Sequence, residues 1–221
     1  MVRNNDSIIT DRDVSQCGTI LTVDEMPAVR VGRKRDEGSR LAVLGAAWDV
    51  TVESGFAALT VEGIATRAGV GKQTIYRWWP SKADVLLEAL AEKADLEVTV
   101  EDHGSFRRDL NAFLTDSGSL LHQPGVAAVL RVLMAEAQLD PEFEQRFQAG
   151  FIARRRAALS VIMRRATRRG DHPAAAGTDT LIDLVFGLIW YRLLVAGGNL
   201  TATQIRHVLD TIAPPAPRER T

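Results

Sequence analysis

At 221 residues, with 46% hydrophobic and 25% charged content, the chain can bury a substantial core in one or two compact units. Its formal net charge of -1 excludes a protein that coats nucleic acid indiscriminately, which needs a strongly basic surface, but is compatible with a local basic patch. The single cysteine, Cys17, excludes an intrachain disulfide and a cysteine-cluster metal site.

Residues 1–29 mix Asp, Ser, Thr and isolated aliphatics without a sustained period, which predicts a disordered extension. No apolar secretory segment is expected there, so the predicted location is a reducing cytoplasm. Arg30, Arg33, Lys34 and Arg35 form a short basic cluster, open to two readings: a solvated charge run, or an arm that reaches DNA phosphates. Asp36 and Glu37 begin a helix in which Leu41, Leu44, Ala47 and Trp48 share a face; Gly55 stops it after Ser54.

The stretch from Thr60 to Lys82 reads as two short helices and a tight turn. Thr60 is placed to cap the first, on which Val61, Ile64, Ala65 and Ala68 recur at helical spacing. Gly69 ends it, Val70 plugs the corner, and Gly71 keeps the corner narrow. The second helix, from Lys72, puts Ile75 and Trp79 on one side. Lys72, Gln73, Thr74 and Arg77, with Tyr76 and Trp78 near them, lie on the other. Pro80 cannot continue the helix, and Ser81 with Asp84 makes a capping-box signal for a third. A bare helix carrying cations and an amide suits the DNA major groove. The same spacing also fits an αα-corner with a solvated outer face.

AGVGKQTIYRWWPSKADVL, read with TVEGIA and the upstream AAWDVTVESGF, resembles the DNA-binding domain of TetR-family (tetracycline-repressor-like) transcriptional regulators. The resemblance orders Gly55-Phe56, Thr60, Ile64-Ala65, Ala68-Gly69-Val70, Tyr76, Pro80 and Lys82 in one register. It implies a recognition helix from Lys72 to Trp79. It places Lys72, Gln73, Thr74 and Arg77 toward bases or phosphates and Tyr76 and Lys82 on the backbone; with Thr60, Trp78 and the arm residues Arg33, Lys34 and Arg35 these make up the expected DNA-contacting set. Two positions depart from the family pattern: Thr51 replaces a large apolar residue, and Gln73 a small one.

Beyond the head, Ser81 to Glu97 predicts a connector helix carrying Val85, Leu86, Ala89 and Leu90. Phe106, Leu110, Phe113, Leu114, Ser117 and Leu121 predict another helix, closed near Pro124. Residues 125–138 predict a buried helix, and Asp140-Pro141-Glu142 starts a long one through a capping carboxylate, proline at the first position and an acid at the positive dipole end. Its C-terminal half is rich in arginine and predicts a solvated face or dimer salt bridges, with a second nucleic-acid surface as the rival reading. Residues 170–177 predict a loop. The very apolar helix from Thr178, interrupted by Asp183 and Arg192, is too short to span a membrane and predicts burial against protein. Thr201 and Gln204 make a capping box for a last helix, and Pro214, Pro215 and Pro217 finish the fold.

The predicted architecture is all-α: an N-terminal helix-turn-helix head, with its basic arm, over residues 30–83; a helical effector-binding and dimerisation body over 84–213, entered by the connector; and a tail over 214–221. The resemblance implies a homodimer, for which the expected interface is Leu181, Val185, Leu188, Arg192, Ile205 and Leu209. It also implies a repressor, released from a palindromic operator by a small apolar effector. The expected pocket lining is Phe106, Phe113, Leu130, Met134, Phe147, Phe151, Met163, Phe186 and Trp190. A constitutive or activating regulator and a helical protein-interaction module are the alternatives. His103, His122, His172 and His207 lie far apart without metal-ligand spacing, and nucleophile elbows and phosphate loops are absent, so neither an enzyme nor a cofactor is expected.

Overall fold

The structure, a computed structural model, describes residues 31–171, 177–198 and 200–213, with side chains from Glu37 onward. The expectations for residues 1–29, for the side chains of Arg33, Lys34 and Arg35, for most of the 170–177 loop and for the tail lie outside the described residues. The chain divides into two units, Met1–Asp36 and Glu37–Thr221; the second holds all that follows.

Among the described residues every regular element is a helix: α1 (Val31–Ser54), α2 (Val61–Ala68), α3 (Lys72–Trp78), α4 (Lys82–Glu97), α5 (Phe106–His122), α6 (Val126–Leu139), α7 (Pro141–Phe147), α8 (Ala153–Arg169), α9 (Thr178–Leu194) and α10 (Ala202–Ile212). A 3-10 turn covers Phe56–Ala58 and a π turn Gln148–Ile152. Arg33, Lys34 and Arg35 therefore fall inside α1, whose start lies upstream of Asp36, while Arg30 lies outside the described residues. On α1 the buried set is Val43, Leu44, Ala46, Ala47 and Trp48; Leu41, expected on that face, is 52% exposed.

The caps follow the local chemistry. Asp140 Oδ1 accepts from the Glu142 and Phe143 N–H groups at 2.9 and 3.1 Å, and Thr201 and Gln204 complete a capping box. Ser81 differs in one respect: its hydroxyl accepts from the Asp84 N–H but donates to the Asp84 carboxylate at 2.7 Å. Gly125 precedes α6 with φ 85, and a Cβ there would lie 2.3 Å from the Val52 side chain. Only glycine meets both demands.

One helix does not run straight from Asp140 as expected. Phe143, Phe147, Phe151, Arg155 and Leu159 are all buried, an unbroken spacing of four. In an α-helix a four-residue step drifts by about 40°. The π turn between α7 and α8 takes up part of that drift, and Phe143, Phe147 and Phe151 stack with centroids 6.2 and 5.9 Å apart.

Helix α4 is the shared wall of the molecule. It packs against α5, α6, α7 and the π turn, while its first turn follows α3 directly. α10 lies on α5, and α9 on α8 and α6. No helix among the described residues is long and apolar enough to cross a membrane.

Two arginines of α8 are neither solvated nor free for a partner, whereas Arg154, Arg164 and Arg168 are exposed. Arg165 and Arg169 fold back onto the α4–α5 connection, where Asp109, with its side chain fully buried, accepts from Arg169 Nη2 at 2.7 Å and from the His103 N–H at 2.7 Å. Arg165 donates to the Val100 and Glu101 carbonyls at 2.8 and 2.7 Å. Arg155 is buried inside the body.

Candidate nucleic-acid interface

Thr60 Oγ1 accepts from the Gly63 N–H at 3.0 Å and so starts α2. Gly69, at φ 67, ends it: its N–H donates to the Thr66 carbonyl at 3.3 Å, and the Val70 N–H to the Ala65 carbonyl at 3.0 Å. This paired bonding is a Schellman closure, which turns the chain sharply into α3. On α3, Ile75 is wholly buried and Trp79 nearly so. Trp79 Nε1–H donates to Glu88 of α4 at 2.6 Å. Glu88 also accepts from Arg40, which reaches Glu92 at 2.7 Å and thereby ties α1 to α4. The recognition helix is thus clamped from behind.

Its outer face carries Lys72, Gln73, Tyr76 and Arg77, all exposed, with Thr74 half-buried. Other members of the expected set have work within the head. Lys72 Nζ pairs with Glu62 at 2.5 Å, which holds the Glu62 carboxyl below its usual range through the Lys72 hydrogen bond. Both partners are exposed and the pair is weak in water, so a phosphate can displace the glutamate. Lys82 Nζ donates to the Phe56 and Leu59 carbonyls at 3.1 and 2.8 Å and sits over the Phe56 ring. It is a clasp closing the 3-10 turn onto α4, with one N–H direction left over, rather than a free cation. Trp78 is half-buried, edge-on to Trp79 at 5.3 Å, and Arg77 lies over its ring at 5.3 Å. Thr60 serves as the cap. Thr51 is buried, and its hydroxyl donates to the Ala47 carbonyl at 2.8 Å, so the polar substitution is satisfied by its own helix.

A small, mainly apolar cavity of the body is bounded by α5, α6, α8, α9 and the π turn, with about 40 Å³ of open volume. Leu130, Phe151, Phe186 and Trp190 of the expected lining are there, joined by Ser117 and Arg155, which sequence reasoning missed as lining residues. Phe113 stands behind it, edge-on to Phe186 at 6.2 Å. Phe106, Phe147 and Met163 are instead fully packed core, and Met134 packs against that core. None of these four lines the cavity. The spacing-of-four run from Phe143 to Leu159 was the available signal for Arg155.

The cavity is joined to the head through side chains. Arg146, on the turn before the π turn that holds Phe151, donates to Asp84 at 2.6 Å. Asp84 is buried in the first turn of α4, beside the Ser81 cap. The guanidinium pKa is raised by this Asp84 hydrogen bond.

The dimer interface is expected on six residues of α9 and α10. Leu181, Val185, Ile205 and Leu209 are buried in their own protomer, because α9 and α10 turn those positions toward α6, α8 and α5. Leu188 and Arg192 are half-buried. The outward stripe of α9 is Leu184, Gly187, Leu188, Tyr191, Leu194 and Val195, with Leu184 and Tyr191 each more than half exposed.

A helix-turn-helix with its recognition helix α3 clamped by α4 and its polar face outward, set on an all-α body, has the geometry of a DNA-binding protein. Residues 43–89 match the family model for bacterial regulatory proteins of the tetR family, and residues 100–212 the tetracyclin repressor-like C-terminal domain. The Bacillus subtilis HTH-type transcriptional regulator YdeS is 33% identical over 178 residues, covering 80% of this chain and 89% of that protein. The DNA-binding transcriptional repressor TetR of Mycobacteroides abscessus is 26% identical over 182 residues, covering 80% and 93%. Among solved structures, the TetR family transcription regulator SCO0332 superposes with a TM-score of 0.68 at 27% identity over 81% of this chain and 99% of that one. FadR of Bacillus subtilis, in complex with stearoyl-CoA, does so at 0.64 and 20% identity over 79% and 98%, a likeness of fold. The chain belongs to the TetR family and is a DNA-binding transcriptional regulator.

Proposed function

We propose that this regulator is a cytoplasmic homodimeric repressor, and that a small, largely apolar effector entering the α5–α6–α8–α9 cavity releases it from a palindromic operator. The observation that carries this reading is the double duty of α4. Its Glu88 holds Trp79 at the end of the recognition helix, and its Asp84 is held by Arg146 of the body. A ligand that displaces Phe151 moves the π turn, and with it Arg146, so the first turn of α4 and the Ser81 cap move with the head. The effector needs only to prefer one of two dimer shapes, and a coupling of about 1–3 kcal/mol lowers operator affinity several-fold to a hundredfold. In this reading residues 30–83 form arm and head and residues 84–213 the body, with 1–29 an extension and 214–221 a tail. Gln73, Thr74, Tyr76 and Arg77 face the DNA, with Lys72 joining once a phosphate displaces Glu62.

Nuclease protection of the DNA upstream of the protein's own gene, at stated salt, tests the reading: a palindromic footprint is expected, and smearing along every fragment would count against a specific dimer. Arg77→Ala is expected to weaken operator binding by about 1–3 kcal/mol with helicity intact; wild-type affinity in the folded variant would remove Arg77 from the contact set. Compounds that lift the footprint identify the effector. Arg146→Leu is then expected to keep operator binding but to respond to that effector about tenfold less than wild type. An undiminished response would place the coupling elsewhere.

A further inference from the structure

We propose that the effector of this protein is an apolar molecule bearing an anionic group, and that Arg155 receives that group. The proposal rests on reading the α5–α6–α8–α9 cavity as the effector site. Arg155 is only 8% exposed and lines the cavity beside Ser117, Phe151, Phe186 and Trp190.

Its neighbours on α8 and in the preceding turns all have acidic partners. Arg146 holds Asp84, Arg154 lies 3.4 Å from Asp95, and Arg156 lies 2.5 Å from Asp183. Arg155, the most buried of them, forms no ion pair with a described residue. The carboxylates whose charge reaches it are Asp95 and Asp116, and both are engaged elsewhere. Asp95 faces Arg154, and Asp116 accepts from the Thr99 N–H and hydroxyl at 3.2 and 3.0 Å. Burial accordingly pushes the Arg155 guanidinium pKa below its ordinary value, while an arginine side chain remains charged in a protein.

The Phe113 ring lies 5.5 Å from the guanidinium. A ring face attracts the cation but accepts few of its five N–H groups, which are arranged to bind a carboxylate or sulfonate bidentately. A neutral ligand would leave this desolvated charge unmatched; an anion neutralises it, with the Ser117 hydroxyl of α5, another lining residue, as a second donor. The remaining walls are aliphatic and aromatic, so the body of the ligand is apolar. The volume of about 40 Å³ accommodates a head group; the rest of the ligand must spread α9 from α5 and α6, which gives it the differential contact a switch requires.

The test uses two dyes that differ by one sulfonate, 1-anilinonaphthalene-8-sulfonate and N-phenyl-1-naphthylamine, titrated by fluorescence into the full-length protein, Arg155→Met and Arg155→Lys. The affinity ratio of sulfonate to neutral dye is expected to fall about tenfold or more in Arg155→Met and to persist in Arg155→Lys. An unchanged ratio, with both dyes still bound, overturns the anion assignment but leaves the cavity reading standing. Failure of both dyes to bind overturns both. A second measurement needs no variant, should Arg155→Met not fold. In the wild-type protein 1-naphthoate is expected to displace the bound sulfonate dye at about tenfold lower concentration than 1-naphthamide; equal potency overturns the proposal.

Discussion

Leu184→Glu combined with Tyr191→Glu is expected to turn the dimer into monomers and to reduce operator affinity by about a thousandfold or more, to the level of non-specific binding. Helix α9 is apolar on both sides. Leu181, Ile182, Val185, Ile189 and Leu193 face the protomer's own core, and Leu184, Tyr191, Leu194 and Val195 face outward. A contiguous outward stripe of this kind marks an interaction surface. The family's two-fold pairing makes a second copy its natural cover, and across a two-fold axis each glutamate then lies close to a like charge. A monomer presents one recognition helix to half an operator. Because both side chains are exposed in the protomer, the fold is expected to survive. Sedimentation equilibrium gives the mass and gel retardation at fixed salt the affinity. A variant that remains dimeric with wild-type affinity would move the interface off α9.

Asp109→Ala is expected to cost ~3–5 kcal/mol, the usual range when one partner of a buried ion pair is removed. The carboxylate holds Arg169 at 2.7 Å, Arg165 at 3.6 Å and the His103 N–H at 2.7 Å. Its loss leaves two largely buried guanidinium groups short of a counter-charge. At ~2–4 °C per kcal/mol for a chain of this size, the melting temperature should drop by roughly 6–20 °C. Asp102 offers the control. It touches the same arginines at 3.4 and 2.8 Å but is half exposed, so Asp102→Ala should cost far less than Asp109→Ala. High salt should erase the Asp102 effect and spare most of the Asp109 effect, since a buried pair is screened less. Equal losses for the two variants in thermal unfolding would show that the network is a surface feature.

The head was legible in the sequence because its determinants are local. Thr60 reaches an N–H three residues away, and Gly69 closes on carbonyls of the same helix; in the body, Asp140 likewise bonds within one turn. Periodicity likewise placed Ile75 and Trp79 inside and Gln73 and Arg77 outside, because α3 has a single apolar side. The one cavity residue with decisive chemistry was missed for a related reason. Arg155 stands in a run of three arginines, Arg154 to Arg156, and composition says nothing about which of them points inward. The spacing of four from Phe143 carries that information only if the helix departs from the α form.

By itself the sequence determined the helices, their caps and turns, the helix-turn-helix register and the family, since each depends on residues within a few positions of one another or on an ordered motif. Tertiary structure alone decided which side of α9 is buried, because a helix that is apolar all round has no polar face to orient it. It also decided that Lys82 closes on carbonyls 26 and 23 residues upstream, that Asp109 meets an arginine 60 residues on, and that Arg155, unlike Arg154 and Arg156, has no acidic partner among the described residues. A charge's partner is a matter of distance in space, and separation along the chain does not encode it.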